Sequence, residues 1–271
     1  MMNALTIDVE SWVYRDFGYD GHRFDAEVKY CCLENQISHM LSLLERYGAV
    51  ATWFFLGEIQ EHAPKVLEEV ARTGQEIAFH TYAHKPLRNA QVLLTELEKS
   101  KRFISDFKPK GFRAPWAYIT RDAFPVLARH GFRYSSSTYA PLNMRKVVDG
   151  VLEIPASSLP IFPFKRKCSM IFPRDLKVAL KMGEIPYGSG SFLGLLGRKA
   201  GWFIKRASKM GAPSIILIHP WQVAESPVSS VRFRAIPYYR NVNDAFKSLL
   251  ERFSFTSIFE LMKDMGIEIH S

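Results

Sequence analysis

Four short stretches end in residues that can move protons or hold a metal. They are "TIDVE" with Asp8 and Glu10, "AFHTYAH" with His80 and His84, "GFRAPW" with Arg113, and "IILIH" with His219. Two neutral imidazoles and one carboxylate form a three-ligand set that leaves an open position on Zn²⁺ for water. Asp8 and Glu10 stand two apart and share one face of an extended strand. One carboxylate can then bind metal while the other acts as a base. An arginine beside that base keeps it ionised and oriented. A second histidine across the site, protonated, can hand a proton to a leaving nitrogen. Taken together, these residue types support metal-assisted hydrolysis. Each alone has a plainer reading. An H-x3-H pair recurs by chance, a histidine closing a strand is usually a satisfied structural residue, and acids after a strand are often caps or solvated. The joint placement at strand ends is what carries weight.

The elements that must position them are readable. "NALTIDV", "AVATWFFL", "QEIAFH", "KGFRAP", "FRYSSS", "VLEIPAS" and "PSIILIH" are brief, apolar and bounded by Gly, Pro or charge, as buried parallel strands are. Helical stripes lie between them. One is Ile37, Met40, Leu41, Leu44 and Tyr47 before Gly48, and another is Val66, Leu67, Val70 and Ala71 before Gly74. A third runs over about 91–107 and a fourth over 121–130. Alternation of this kind predicts an α/β fold with a parallel sheet, and about seven strands suit a distorted (β/α) barrel. Chemistry in such folds collects at the carboxyl ends of the strands. Around 160–197 the pattern breaks into Pro, Gly and aromatic residues, which predicts an irregular insertion or lid on a single domain spanning 1–271.

Composition narrows the class. The chain has 271 residues, 47% hydrophobic, enough for one large core. Aromatic residues make up 13%, which argues against disorder. No apolar run reaches the roughly 18 residues that span a bilayer. No basic leader or cleavage site is visible at the start, and Cys31, Cys32 and Cys168 read as reduced thiols, so a cytoplasmic location is expected. No nucleotide-binding glycine motif occurs, and no nucleic-acid motif accompanies the formal charge of +9. That charge fits solubility, or an anionic carbohydrate or lipid partner. The stretch 197–209, "GRKAGWFIKRASK", together with "KRK" at 165–167, adds the expectation of peripheral membrane contact; the plainer reading is an outer barrel helix.

In order along the chain, "LTIDVE", "HTYAH", "FRAPW" and "ILIHP" resemble the motifs of the polysaccharide deacetylase family, also called NodB-homology or carbohydrate esterase family 4. "GSGSFLGLLG", "HPWQ" and the late "FRAIPYYRNVNDAFKSLLERFSFTSIFEL" resemble its exopolysaccharide-cluster subgroup. The resemblance implies a barrel of about seven strands and a zinc-dependent N-deacetylase acting on a polysaccharide or its lipid-linked precursor. By the same resemblance, His80 and His84 match the histidine ligands, Asp8 the catalytic base, Arg113 its tether and His219 the general acid. Trp116 would supply a backbone N–H to the oxyanion, and Leu217 would line the pocket for the acyl methyl. Two positions depart from the pattern. Val9 stands where most members carry the metal-binding aspartate, so Glu10 is assigned as third ligand, after relatives that carry D-V-D. Ser135 stands where relatives often carry an aspartate, leaving Asp149 or Glu153 to support the acidic histidine. Deformylation of a lipid-linked sugar, ureide hydrolysis and an inactive carbohydrate-binding barrel are the competing readings. Trp12, Tyr14, Trp116 and Trp221 flank the site residues as candidate sugar-stacking rings.

Overall fold

A computed structural model of the chain describes residues 1–17, 21, 23–161, 170–224 and 242–267. The "KRK" at 165–167, Cys168 and the start of the late subgroup segment, 233–241, lie outside the described residues. The strands are β1 (Asn3–Val9), β2 (Thr52–Phe55), β3 (Glu76–Phe79), β4 (Gly111–Phe112), β5 (Tyr134–Ser135), β6 (Tyr139–Ala140), β7 (Lys146–Val148), β8 (Val151–Glu153), β9 (Ala156–Ser157), β10 (Leu159–Pro160), β11 (Glu184–Ile185), β12 (Ile215–Ile218) and β13 (Phe255–Thr256). The main sheet runs β12-β1-β2-β3-β4-β5-β8-β7, with β13 also on β1. Every pairing from β12 to β8 is parallel, giving the seven strands expected, while β7 folds back antiparallel on β8. The sheet curls into a half-barrel of mostly parallel strands.

Parity along β1 sorts its side chains. Leu5, Ile7 and Val9 join the main apolar core. Thr6 and Asp8 point to the other face, where Thr6 Oγ1 and Asp8 both meet Arg113. The helix Leu33–Arg46 lays Leu33, Ile37, Met40, Leu41 and Leu44 on that core, and Gly48 leaves it at φ +59, a left-handed turn that favours glycine. Each large side chain buried this way contributes about 1.5–3 kcal/mol.

Between β8 and β12 the wall is completed by a single loop rather than a strand. The Gly188 N–H donates to Ser157 O at 2.8 Å, and the Leu217 N–H donates to Gly188 O at 2.6 Å. A Cβ on Gly188 would lie 2.4 Å from Ile215 O and 2.6 Å from Ser157 N, so only glycine lets the backbones approach this closely.

Several elements differ from the sequence reading. The helix expected over 91–107 is two helices, Ala90–Lys99 and Lys101–Phe107, broken at buried Ser100. The fourth starts as a 3₁₀ turn, Arg121–Ala123, before Phe124–Arg129. "VLEIPAS" divides into β8 and β9. The described part of 160–197 holds helices Leu176–Lys181 and Gly190–Leu196, and β10 pairs antiparallel with β11. Among the described residues no helix is long and apolar enough to cross a membrane.

Candidate metal centre and active site

The chemistry-bearing side chains stand at or just past the carboxyl ends of four strands of the main sheet, β12, β1, β3 and β4. β1 ends at Val9, and a tight turn, Glu10 N–H to Asp8 O at 3.2 Å, brings Glu10 back toward the site. Val9 itself is buried in the main core, pointing away, so the longer glutamate takes the inward place. His80 follows β3, Arg113 follows β4 and His219 follows β12. In the parallel register Thr6 pairs with Leu217 and Ile7 with Ile218, which puts Asp8 and His219 next to each other two residues on from the first pair.

Glu10, His80 and His84 offer three buried ligand atoms within 4.8 Å of one another. His84 Nε2 contacts Glu10 Oε2 directly, and His80 Nε2 lies 3.6 Å from the same oxygen. His80 Nδ1 donates to Arg113 O at 2.8 Å, which leaves the Nε2 lone pair facing the cluster. His80 Nε2 and His84 Nδ1 are buried with no hydrogen-bond partner among the described residues. Buried polar atoms without partners are costly, and an oxygen–nitrogen donor set of this kind fits a divalent cation such as zinc. Burial alone would raise the Glu10 carboxyl. The charges of His84 and His219, with the close approach of the His80 and His84 rings, outweigh it and hold the group well below the ordinary glutamate range.

Beside this cluster Arg113 is 1% exposed and fixed at every nitrogen. Its Nη1 donates to Asp8 Oδ1 at 2.7 Å and Thr6 Oγ1 at 2.8 Å, its Nε to Ser136 O and its Nη2 to Ser136 Oγ, both at 2.7 Å. The guanidinium also lies over the Phe54 ring, 4.2 Å from the centroid. Asp8 Oδ2, the other oxygen, faces His80 Nε2 at 4.0 Å. His219 closes the opposite side. Its Nε2 is 3.3 Å from Glu10 Oε1, and its Nδ1 is 3.1 Å from Gln222 Oε1, which also accepts the His219 backbone N–H at 2.9 Å.

The partner of His219 is therefore an amide, not either of the acids named from sequence. Asp149 sits exposed in the β7–β8 turn. Glu153 is fully buried, where its Oε1 accepts from Ser137 N and Thr138 Oγ1. The flanking aromatics also divide. Tyr14 stacks on His84 (centroids 4.7 Å) and Trp221 on His219 (4.6 Å), both buried, and Trp12 is buried too. Trp116 alone of the four is open, 43% exposed, with its ring edge-on to His84 at 4.8 Å. Its backbone has φ +55, between turn bonds from Ala117 N–H to Ala114 O and from Tyr118 N–H to Pro115 O. The Trp116 N–H takes part in neither.

Two buried acids absent from the sequence reading shape the histidine loop. Glu96, on the helix Ala90–Lys99, accepts the N–H groups of Tyr82 and Ala83 at 3.1 and 2.9 Å. It steadies a loop that passes through left-handed backbone at Thr81 and His84. Glu58 accepts from Tyr14 Oη (3.0 Å), Tyr30 Oη (2.5 Å) and Lys29 Nζ (3.0 Å), fixing the ring that stacks on His84. Glu96 had a signal: it falls three residues after Leu93 on the buried stripe of its helix, where an acid is out of place. Gln222 had one too, standing three residues after His219 in "HPWQ" at the start of a short helix, while Glu58 had none.

Comparison with known proteins agrees with the geometry. Residues 23–135 match the family described as polysaccharide deacetylase. A peptidoglycan deacetylase-like protein of Gibberella zeae is 31% identical over 108 residues, covering 37% of this chain and 32% of the relative. A peptidoglycan deacetylase of Helicobacter pylori is 30% identical over 107 residues, covering 37% of this chain and 36% of the relative. The chain thus spans about a third of the length of these curated relatives. Among solved structures, a candidate polysaccharide deacetylase from Mycobacterium smegmatis superposes with a TM-score of 0.61 at 17% identity, over 96% of this chain and 88% of the other. At that identity the likeness speaks to the fold alone.

Proposed function

We propose that this chain, whose residues 23–135 match the polysaccharide deacetylase family, is a divalent-metal-dependent hydrolase removing N-acetyl groups from amino sugars of a polysaccharide or its lipid-linked precursor. The observation that carries this reading is the Asp8–Arg113 pair at 2.7 Å beside the buried Glu10, His80 and His84. A bound metal, held by those three side chains, would polarise the amide carbonyl and acidify the attacking water.

The chain's own residues then divide the work. Arg113 occupies Asp8 Oδ1, so Oδ2, on the cluster side, is the oxygen that takes the proton from water. In this reading the Trp116 N–H, which takes part in neither flanking turn bond, holds the carbonyl oxygen as charge develops there. Leu217, buried two residues before His219, bounds the space for the acyl methyl. Gln222 fixes the proton on His219 Nδ1, and the proton on Nε2 is the one delivered to the departing nitrogen as the C–N bond breaks. The products are acetate and a free amino sugar.

Acetate release from N-acetylated chito-oligosaccharides by zinc-loaded protein tests the proposal. Asp8→Asn is expected to lower turnover by roughly 10²–10⁴-fold with zinc content unchanged, as loss of a positioned base does. Release of formate from N-formyl sugars, and of no acetate, would move the reading to a deformylase. Stoichiometric zinc with no acyl release from either substrate would sink it in favour of a carbohydrate binder.

A further inference from the structure

Away from the catalytic cluster lies a cationic face with an apolar rim. Between Ile185 and Ala224 the sequence contains no aspartate or glutamate, yet it holds Arg198, Lys199, Lys205, Arg206 and Lys209. The helix Ala200–Lys209 buries Ala200, Gly201, Ile204 and Ala207. Its outer face is therefore Trp202, Lys205, Arg206 and Lys209, at the i, i+3, i+4, i+7 spacing of one helical stripe. Beneath it a hollow of about 320 Å³, open to solvent, is lined by Lys205, Ser208, Lys209, Arg252, Phe253 and Met1 among others. Arg252 is held in place there. Its guanidinium packs across Gly201, where a Cβ would come within 2.8 Å of it, and its Nη1 donates to Arg198 O at 3.2 Å. Among the described residues Lys205, Lys209 and Arg252 have no carboxylate partner.

We propose that this face docks on the surface of an anionic phospholipid bilayer, with a lipid phosphate seated in the hollow among Lys205, Lys209 and Arg252. Three uncompensated cations around one hollow suit a phosphate oxygen cluster. The rim distinguishes a bilayer from a soluble polyanion. Trp202 is 55% exposed, Met210 63% and Met1 64%, and a soluble polyanion gains nothing from them. An indole flanked by basic residues is the arrangement that settles at the headgroup boundary. Position fits as well. The hollow lies at the amino end of β1, where the Asn3 N–H bonds Ser254 O, while the catalytic side chains stand past the carboxyl ends of the strands. Docking there leaves the site uncovered, so vesicle binding and turnover are separable.

The test is co-sedimentation of the full chain with vesicles of equimolar phosphatidylcholine and phosphatidylglycerol, against pure phosphatidylcholine. Binding to the anionic vesicles only is expected. It should weaken as salt is raised, and by on the order of tenfold or more in Lys205→Ala/Lys209→Ala. That variant should keep wild-type thermal stability and acetate release, because neither lysine touches the catalytic cluster. Trp202→Ala should also weaken vesicle binding while leaving binding to dextran sulfate unchanged. The proposal is overturned by no vesicle binding, by equal binding to neutral vesicles, or by full binding in the double variant. It is equally overturned if Trp202→Ala binds vesicles as the parent does, since the hollow would then be a site for soluble anions.

Discussion

Asp8 and Arg113 illustrate how a pair of ordinary residues gains a role from fixation. Every nitrogen of Arg113 is engaged, so its guanidinium can hold only one oxygen of Asp8 and leaves the other facing the histidines. The same principle applies to His84, whose ring is gripped by Tyr14, itself tied to Glu58. Tyr14→Ala removes that support and is expected to weaken zinc binding by about 10–100-fold, the usual cost of losing an outer partner of a ligand. Tyr14→Phe keeps the ring and leaves Glu58 with Tyr30 and Lys29. It should bind zinc within a few-fold of the parent and lose about 1 kcal/mol of stability. Chelator competition and thermal unfolding separate the two, and equal zinc loss in both variants would exclude the stacked ring as the support. The side chains that the fold gathers here were legible because histidine, carboxylate and arginine at strand ends are chemically conspicuous. Tyr14 was legible only as a flanking ring and Glu58 not at all, because their roles arise from contacts between separate elements that no local spacing encodes.

The ends of three strands were readable to within one position, while "KGFRAP" and "FRYSSS" run two to three residues past β4 and β5. β1, β3 and β12 each stop immediately before the side chain that sequence singled out or one residue past it. The helix over 91–107 was misread as continuous because its composition carries no proline or glycine at the break. Ser100 interrupts it through tertiary packing, its hydroxyl lying where a Cβ on Gly57 would come within 2.4 Å. Closure of the wall by Gly188 was equally invisible, since one glycine among sixteen carries no mark of what it will approach. It is also a connection with no room for a side chain. Gly188→Ala would press a methyl group against backbone on two sides, Ile215 O and Ser157 N, neither of which can rotate away. A loss of roughly 1–3 kcal/mol of stability is expected. Turnover should fall with it, because the displaced segment carries Leu217 and His219. A variant that melts with the parent protein would show that the wall yields here.

At the scale of the whole molecule, parallel strands, a single main core and a net charge of +9 follow from composition and alternation, whereas the pH response depends on what folding buries. Glu153 is the clearest case. It lies fully buried at the end of β8, and burial raises its carboxyl to about 7 despite hydrogen bonds from Ser135, Thr138 and the Ser137 N–H. In the unfolded chain this carboxyl ionises near its ordinary value of 4.5, while in the folded protein it keeps its proton to about 7. Between those values the folded state binds the extra proton, so its contribution to stability is complete below 4.5, declines as pH rises and is lost above about 7. A shift of this size corresponds to roughly 3 kcal/mol. Glu153→Gln keeps the acceptor oxygen and removes the titration. Its buried amide adds a cost of its own, but one that does not vary with pH. The difference in unfolding free energy between about pH 5 and about pH 8 should therefore shrink by roughly that amount relative to the parent. Urea titrations of both proteins at the two pH values measure it directly. An unchanged difference would mean that Glu153 is already ionised in the folded barrel at neutral pH, with its charge carried by Arg113 across the sheet.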